Sequence, residues 1–254
     1  MSLVTSAPTK IKKGFFACEI LADTSDLDFY LQAQQGRVGA MMNRDNRRRW
    51  LWLLAGALLV AAMFPLDDCL DRALLVANPS SWHELAWWCS KLGEGWVVGV
   101  AGVFLAAFFV WRKKPVLAAN IFFVGFTSEI AGLVALILRV LFGRTRPSNL
   151  EVPQGFYGLW HDGHWIIGKY QYSSFPSGHS ATAAGLVAAL WLVHRGGGAA
   201  AAVYALAVMW SRIALNCHHL SDVVASVVLS IVVALLLQKY FAPANEKFFT
   251  RLVV

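Results

Sequence analysis

The sequence predicts an all-α membrane protein: a bundle of six transmembrane helices, with a polar cytoplasmic N-terminal tail and an external interfacial loop between helices three and four. Three observations predict it. The 254 residues are 57% hydrophobic and only 15% charged, with eleven tryptophans and a mean hydropathy of +0.54, a composition that soluble domains do not show. The apolar residues gather into six runs, at 50–66, 96–111, 115–138, 180–193, 198–215 and 223–237. Lysine and arginine mark alternate ends of those runs, as the positive-inside rule requires of a multi-pass protein.

The first 49 residues differ from the rest. Lys10, Lys12 and Lys13 are followed by Asp23, Asp26 and Asp28, and no apolar signal-peptide core is present. This stretch reads as a cytoplasmic tail, either solvated or lying on anionic lipid. Residues 50–242 form the six-helix domain, and 243–254 a second cytoplasmic tail. Several runs are shorter than a spanning helix of roughly 20 residues, but their amphipathic ends bring each close to the range of about 17 to 25.

Arg44, Arg47, Arg48 and Arg49 precede the first run, Arg112, Lys113 and Lys114 follow the second, Arg195 follows the fourth, and Lys239, Lys247 and Arg251 follow the sixth. All fall on one face, assigned to the cytoplasm of an inner membrane. The first external loop holds Asp67, Asp68, Asp71, Glu84 and Glu94 against Arg72 and Lys91. The net charge of +7 is therefore membrane anchoring; without a basic soluble domain or aromatic platform it excludes nucleic-acid binding. Gly196, Gly197 and Gly198 read as a tight cytoplasmic turn. Cys69 and Cys89 share the first external loop, where an oxidising compartment allows a disulfide; two thiols are the alternative. Cys18 and Cys217 lack the partner spacing of a zinc site.

Three polar clusters interrupt the apolar second half, all toward the external helix ends. They are Arg139 with Arg146-Pro147, then Pro176-Ser177-Gly178-His179, then Ser211-Arg212 with His218 and Asp222. Ionisable side chains at membrane depth are costly and point to function. His218 and Asp222 are four residues apart, so they share a face if the sixth helix begins near His218. A carboxylate against one ring nitrogen frees the other as a nucleophile. His219, three residues before Asp222, is also within helical reach. Pro176-Ser177-Gly178 places backbone amides at the start of helix four, where anions bind, and His179 there suits a general acid. Arg139 and Arg146 flank one pocket if helix three continues past Gly143. With Arg212 they supply guanidinium groups for a phosphoryl transition state. Arg144 is a fourth candidate, or it snorkels to the interface. Glu129, inside helix three, needs a cationic partner or a hydrated cavity.

This pattern resembles the type-2 phosphatidic acid phosphatase family, whose motifs are Lys-x6-Arg-Pro, Pro-Ser-Gly-His and Ser-Arg-x5-His-x3-Asp. Here they stand as Arg139-x6-Arg146-Pro147, Pro176-Ser177-Gly178-His179 and Ser211-Arg212-x5-His218-x3-Asp222. The third motif selects His218 over His219. One position departs: the opening lysine is Arg139, equally charged but wider and planar. The resemblance implies a metal-independent, cofactor-free hydrolysis. His218 forms a phosphohistidine, Asp222 orients it, and His179 protonates the leaving oxygen. Arg139, Arg146, Ser177, Gly178 and Arg212 hold the phosphate. His161 and His164, without a carboxylate cage, are a weak metal pair.

The 143–175 loop carries Phe156, Tyr157, Trp160, Trp165, Tyr170, Tyr172 and Phe175, residues that favour the headgroup zone. The expected partner is therefore a lipid phosphate within the bilayer. Undecaprenyl pyrophosphate, lipid A, phosphatidylglycerol phosphate and phosphatidic acid are the substrates that the resemblance implies, the first and second suiting an external site best. A phosphotransferase passing the group to an acceptor lipid and a non-enzymatic transporter are the competing classes. Neither the lipid nor the oligomeric state is written in the sequence.

Overall fold

The computed structural model of the protein describes residues 46–77 and 80–251. The described residues form seven α-helices: α1 (Asn46–Ala77), α2 (Ser80–Leu92), α3 (Gly95–Trp111), α4 (Pro115–Phe142), α5 (Gly178–Val193), α6 (Arg195–Ala214) and α7 (Leu220–Arg251). The long α4–α5 connection contains a small hairpin, β1 (Trp160–His161) with β2 (His164–Trp165), and a 3-10 turn at Tyr170–Tyr172. Asp162 and Gly163 close the hairpin with φ of 49° and 76°, the left-handed pair that a two-residue hairpin turn needs.

Six spanning helices are not what the chain forms. Among the described residues four helices are long and apolar enough to cross a bilayer: Leu51–Ala73 within α1, Pro115–Phe142, Arg195–Ala214 and Leu220–Lys239 within α7. A fifth exists only if α2 and α3, bent by 43° at the Gly93-Glu94 break, count together as one broken span. The run at 96–111 is thus half of a bent pair. The run at 180–193 becomes α5, whose 16 residues rise about 24 Å at 1.5 Å per residue, short of a hydrocarbon core of about 30 Å. The physical reason is that its N-terminus is spent on the polar Pro176-Ser177-Gly178 turn. The expected cytoplasmic N-terminal tail lies outside the described residues except for its last few, which open α1. α7 continues through residues 243–251.

Small residues let the helices approach. α4 lies between α3, α5 and α7, and α5 between α4, α6 and α7. Ala118, Ala131, Ala135, Ala181, Ala183 and Ala189 are fully buried. A Cβ on Gly125 would stand 3.3 Å from the Gly102 Cα, so α3 and α4 touch backbone to backbone, as helices in lipid do where packing rather than a hydrophobic difference holds them. Hydroxyls supply the rest. Ser226 and Ser230 of α7 donate to the carbonyls of Ser177 (2.9 Å) and Ala181 (2.8 Å), and Ser128 of α4 donates to the Thr182 carbonyl (2.8 Å). Large apolar side chains such as Trp52, Leu58, Phe104, Val203 and Leu206 face outward, toward lipid.

Several local expectations change. The Asp67–Asp71 stretch is not loop: α1 runs on to Ala77, and Asp67 and Asp71 turn inward, buried. The glycine triplet is not a turn, because Gly196, Gly197 and Gly198 form the first turn of α6. His194 caps that turn, its Nδ1 accepting from the Gly197 amide at 2.8 Å. Cys69 and Cys89 carry free thiols on α1 and α2. Helix α4 does not pass Gly143, which ends it in the left-handed conformation with φ of 55°.

Gly143 therefore makes a stringent test. A Cβ there would stand 1.9 Å from the Gly158 carbonyl oxygen, a backbone atom, on top of the roughly 1–2 kcal/mol that a left-handed L-residue costs. Gly143→Ala is expected to lower the melting temperature of the detergent-purified protein markedly; an unchanged melting curve contradicts this account of the α4 terminus.

Candidate active site

The three polar clusters meet at one end of the bundle. Arg139 sits in the last turn of α4, Ser177 to His179 begin α5, Ser211 and Arg212 end α6, and Asp222 lies in the first turn of α7. Antiparallel neighbours bring these ends together, although up to 83 residues of sequence separate them.

His218 is placed by the α6–α7 turn. Asn216 takes a φ of 50°, and the amides of Cys217 and His218 both donate to the carbonyl of Arg212, at 3.1 and 3.2 Å. His218 precedes α7 rather than beginning it, so its meeting with Asp222 does not come from a shared helical face. Its Nδ1 lies 2.7 Å from the Ser174 carbonyl oxygen and 3.6 Å from Asp222 Oδ2. A carbonyl only accepts, so Nδ1 carries the proton and Nε2 keeps its lone pair. Nε2 is buried and has no hydrogen-bond partner among the described residues. Burial, with Arg146 and Arg212 adding to it and Asp222 opposing it, pushes the His218 pKa down to about 3. The ring is neutral at physiological pH.

Asp222 is fully buried. Its Oδ1 accepts from Arg144 Nη1 at 2.5 Å, and Oδ2 accepts from Ser174 Oγ at 2.5 Å and from the His219 amide at 2.8 Å. Arg144 does not snorkel. It is buried under Phe64, Phe156 and Phe175, with its carbon centre 4.8, 5.1 and 5.9 Å from their rings. His219 points away from His218, toward Asp71 Oδ2 (2.6 Å) and the Thr145 carbonyl (3.0 Å). Burial acts against a charge on His219, but the Asp71 carboxylate outweighs it and its pKa is raised.

The charges of Arg146 and Arg212 act on His218, and Arg139 lies near those two arginines. Arg146 leaves the loop after α4, its amide bonded to the Gln171 carbonyl. Its side chain donates to the carbonyls of Tyr170 (2.9 Å) and Cys217 (3.0 Å) under the Tyr170 ring. Arg212 donates to Ser90 Oγ of α2, and its Nε is buried without a partner among the described residues, as is Nε of Arg139. His179 is half-buried, with the charges of Arg212, Glu94, Arg139 and Arg146 acting on it. Ser177 Oγ accepts from the Ser180 amide and caps α5, which leaves its own proton to donate. At Gly178 the nearest neighbour of an added Cβ is Arg139 Nη1, at 3.5 Å, so the missing side chain opens space before that guanidinium.

All eight sequence-predicted site residues thus lie around one site. Glu129 is apart from it, over Gly95 and Gly99 of α3 with Oε1 buried and unpartnered. His161 and His164 face each other across the hairpin, and among the described residues no group of three or more His, Cys, Asp or Glu side chains is arranged to hold a metal. Sequence reasoning passed over Ser174, Asp67, Asp71 and Ser90. The one available signal was the pair of acids, four apart, at the end of an apolar run.

A membrane helical bundle with an arginine-lined site around a neutral, unpartnered imidazole is suited to binding phosphate. The PAP2 superfamily model matches residues 117–246, just over half of the chain, and the protein belongs to that superfamily. It is accordingly a PAP2-type phosphatase or phosphotransferase acting on a membrane lipid phosphate. Comparison with curated proteins finds no match. Two solved structures share the fold. One is the transmembrane PAP2 type phosphatidylglycerolphosphate phosphatase of Bacillus subtilis, with 20% identity and a TM-score of 0.54 over 74% of this chain and 93% of that one. The other is LpxE of Aquifex aeolicus, with 22% identity and a TM-score of 0.51 over 69% of this chain and 96% of that one.

Because Nδ1 of His218 is bonded to a carbonyl and its pKa is about 3, the ring should remain in the Nδ1–H neutral form from about pH 8 down to about pH 5, below the ordinary histidine value near 6.5. Histidine-selective nitrogen-15 NMR measures this directly. A His218 signal titrating near pH 6.5 contradicts the geometry.

Proposed function

We propose that the protein is a metal-independent lipid phosphatase that hydrolyses a phosphate mono- or diphosphate ester of a membrane lipid through a phosphohistidine. The observation that carries this reading is the unpartnered, neutral Nε2 of His218 among the unpartnered Nε groups of Arg139 and Arg212. A lone pair and two N–H donors, all buried, wait for one ligand that is electrophilic at its centre and anionic at its edge. A phosphoryl group is such a ligand.

His218 Nε2 forms a bond to phosphorus as the bond from phosphorus to the lipid oxygen breaks, and His179, which takes up a proton once the anionic phosphate lies beside it, gives that oxygen its proton. His179, now neutral, takes a proton from water; the water oxygen displaces His218 and releases inorganic phosphate. As the Nε2–P bond forms, His218 becomes cationic, and Asp222 Oδ2 at 3.6 Å stabilises that charge. Arg139, Arg146, Arg212, the Ser177 hydroxyl and the open space at Gly178 hold the phosphoryl oxygens, supplying the positive charge that a metal would otherwise bring. Residues 50–242 are the catalytic unit, between the tails 1–49 and 243–254.

The site end is assigned to the exterior. Arg112, Lys113 and Lys114 lie in the α3–α4 turn and Arg195 at the α5–α6 turn, both at the helix ends opposite the site, and the positive-inside rule puts those ends in the cytoplasm. The loop aromatics beside the site, including Trp160 and Trp165, suit the headgroup zone of a cytoplasmic membrane. Undecaprenyl pyrophosphate, lipid A, phosphatidylglycerol phosphate and phosphatidic acid form the substrate set; the Bacillus relative of the same fold is a phosphatidylglycerolphosphate phosphatase. Transfer of the phosphoryl group to an acceptor lipid is the second reading, favoured by the same nucleophile.

The purified protein, given this lipid panel with a chelator present, is expected to release phosphate from at least one member. His218→Ala should lower kcat on the order of 10³-fold or more and His179→Ala by about 10²- to 10⁴-fold. Full release by His218→Ala overturns the mechanism, loss of activity with the chelator overturns its metal independence, and turnover only with an acceptor lipid establishes the transferase instead.

A further inference from the structure

Helix α1 lies outside the residues that match the family model, and its spanning segment is nearly all exposed, only 6% of it buried. Leu51, Trp52, Leu58, Leu59 and Leu66 all face outward. Two of its residues reverse the pattern. Asp67 and Asp71 are 2% and 8% exposed and, four apart, project from one face. A carboxylate turned into an apolar bundle is costly unless it is paired, and both of these are paired, Asp67 through both oxygens and Asp71 through Oδ2.

Asp67 binds the start of α7. Its Oδ1 accepts from the Ser221 amide (2.9 Å), one of the first-turn donors that a helix leaves unpaired, and its Oδ2 accepts from Ser221 Oγ (2.5 Å) and Arg144 Nη2 (2.8 Å). The same Arg144 gives its Nη1 to Asp222 Oδ1. Asp71 binds His219. Both ring nitrogens of His219 face atoms that only accept, the Asp71 carboxylate and the Thr145 carbonyl, so the ring is an imidazolium. The His219 amide in turn donates to Asp222 Oδ2. Of the three donors to the Asp222 carboxylate, two are therefore held in place by α1, and the third, Ser174 Oγ, belongs to the residue whose carbonyl orients His218.

We propose that Asp67 and Asp71 of α1 are positioning residues for the reaction, Asp67 through Arg144 and Ser221 and Asp71 through His219, together fixing the Asp222 carboxylate and the turn that carries His218. Neither touches the substrate. The proposal rests on the reading of His218 and Asp222 as the reacting pair. It makes a helix outside the matched residues a working part of the site. Without Asp67, Arg144 shifts its charge wholly onto Asp222 and weakens the support Asp222 gives to a cationic His218. Without Asp71, His219 loses its second proton, and its amide no longer holds Asp222 in register.

The test uses the full-length purified protein, with Asp67→Asn, Asp71→Asn, Asp67→Glu and Asp71→Glu beside His218→Ala. Phosphate release is followed from dioleoyl phosphatidic acid and from undecaprenyl pyrophosphate in mixed micelles, and histidine-selective nitrogen-15 NMR reads the ring states without substrate. The Asn variants should lose kcat by about 10- to 100-fold, the usual scale for partners one step behind a reacting group, with KM nearly unchanged. In Asp71→Asn the His219 signals should titrate at lower pH than in the native protein, where Asp71, Asp222 and Arg144 surround the ring, and the alkaline limb of kcat should move with them. In both Asn variants the His218 signals should move from the single Nδ1–H form toward a mixture. If an Asn variant does not fold, its Glu counterpart, which keeps the charge, should fold with reduced kcat. Native kcat together with native His218 signals, in the Asn variant or in its Glu counterpart, overturns the positioning role while leaving the phosphatase reading intact. Full activity in His218→Ala, or no turnover by the native protein of any lipid in the four-member panel, overturns that reading instead, and the ring signals still decide whether α1 orders the site.

Discussion

The ion pair between Arg144 and Asp222 is the constraint on which the rest of the site depends. Both groups are buried in an apolar bundle, where an unpaired charge is strongly unfavourable and removal of one partner strands the other. Each therefore needs a full set of hydrogen bonds, and meeting that need draws together four separate pieces of chain. Arg144 comes from the loop after α4, Asp222 from α7, Asp67 from α1, and Ser174 from the approach to α5. The Phe64, Phe156 and Phe175 rings around the guanidinium exclude water and bring the long α4–α5 loop down onto the bundle. The orientation of His218 is a by-product: Ser174, fixed by Asp222 through its hydroxyl, presents its carbonyl to Nδ1.

The site separates groups that are satisfied from groups that are not. Asp222, Arg144, His219 and Asp71 are bonded within the protein, whereas Arg139, Arg212 and Nε2 of His218 keep open positions. A buried polar group without a partner is normally a defect. Several of them gathered at the same end of the bundle, which also holds the helix terminus at Ser177, suit a site that an anion completes. The electrostatics agree, because burial keeps His218 neutral while a second, adjacent histidine carries the charge that balances Asp71. Two neighbouring imidazoles thus take opposite protonation states from their partners alone.

The shortness of α5 belongs to the same logic. A helix that begins at a polar turn within the site cannot also span a full bilayer, and α4 and α7 wrap it with hydroxyl-to-carbonyl bonds in place of bulky side chains. Close packing through alanine and glycine then sets the helix ends with little freedom, which a site assembled from four helix termini requires. The bend at Gly93 and Glu94 similarly brings Ser90 to Arg212.

Much of this was legible in the residues. Composition and apolar runs indicate a helical membrane protein, and the three motifs, with their fixed spacings, single out eight residues that the fold brings to one end of the bundle. The sequence determined these because they depend on residue identity and short-range spacing. The number of spans was misjudged, because an apolar run does not reveal where a helix is bent or where its first turn is taken by a polar loop. The pairing of His218 with Asp222 was anticipated for the wrong reason: the contact is made from a turn before α7, not along a helical face. The sequence does not show the partners of Asp67, Asp71, Ser174 and Arg144, since these lie 44 to 154 residues away and no local pattern encodes a contact across the bundle. Only the tertiary structure decided which charges pair and which remain open, because in a low-dielectric interior that choice is made by distance in space.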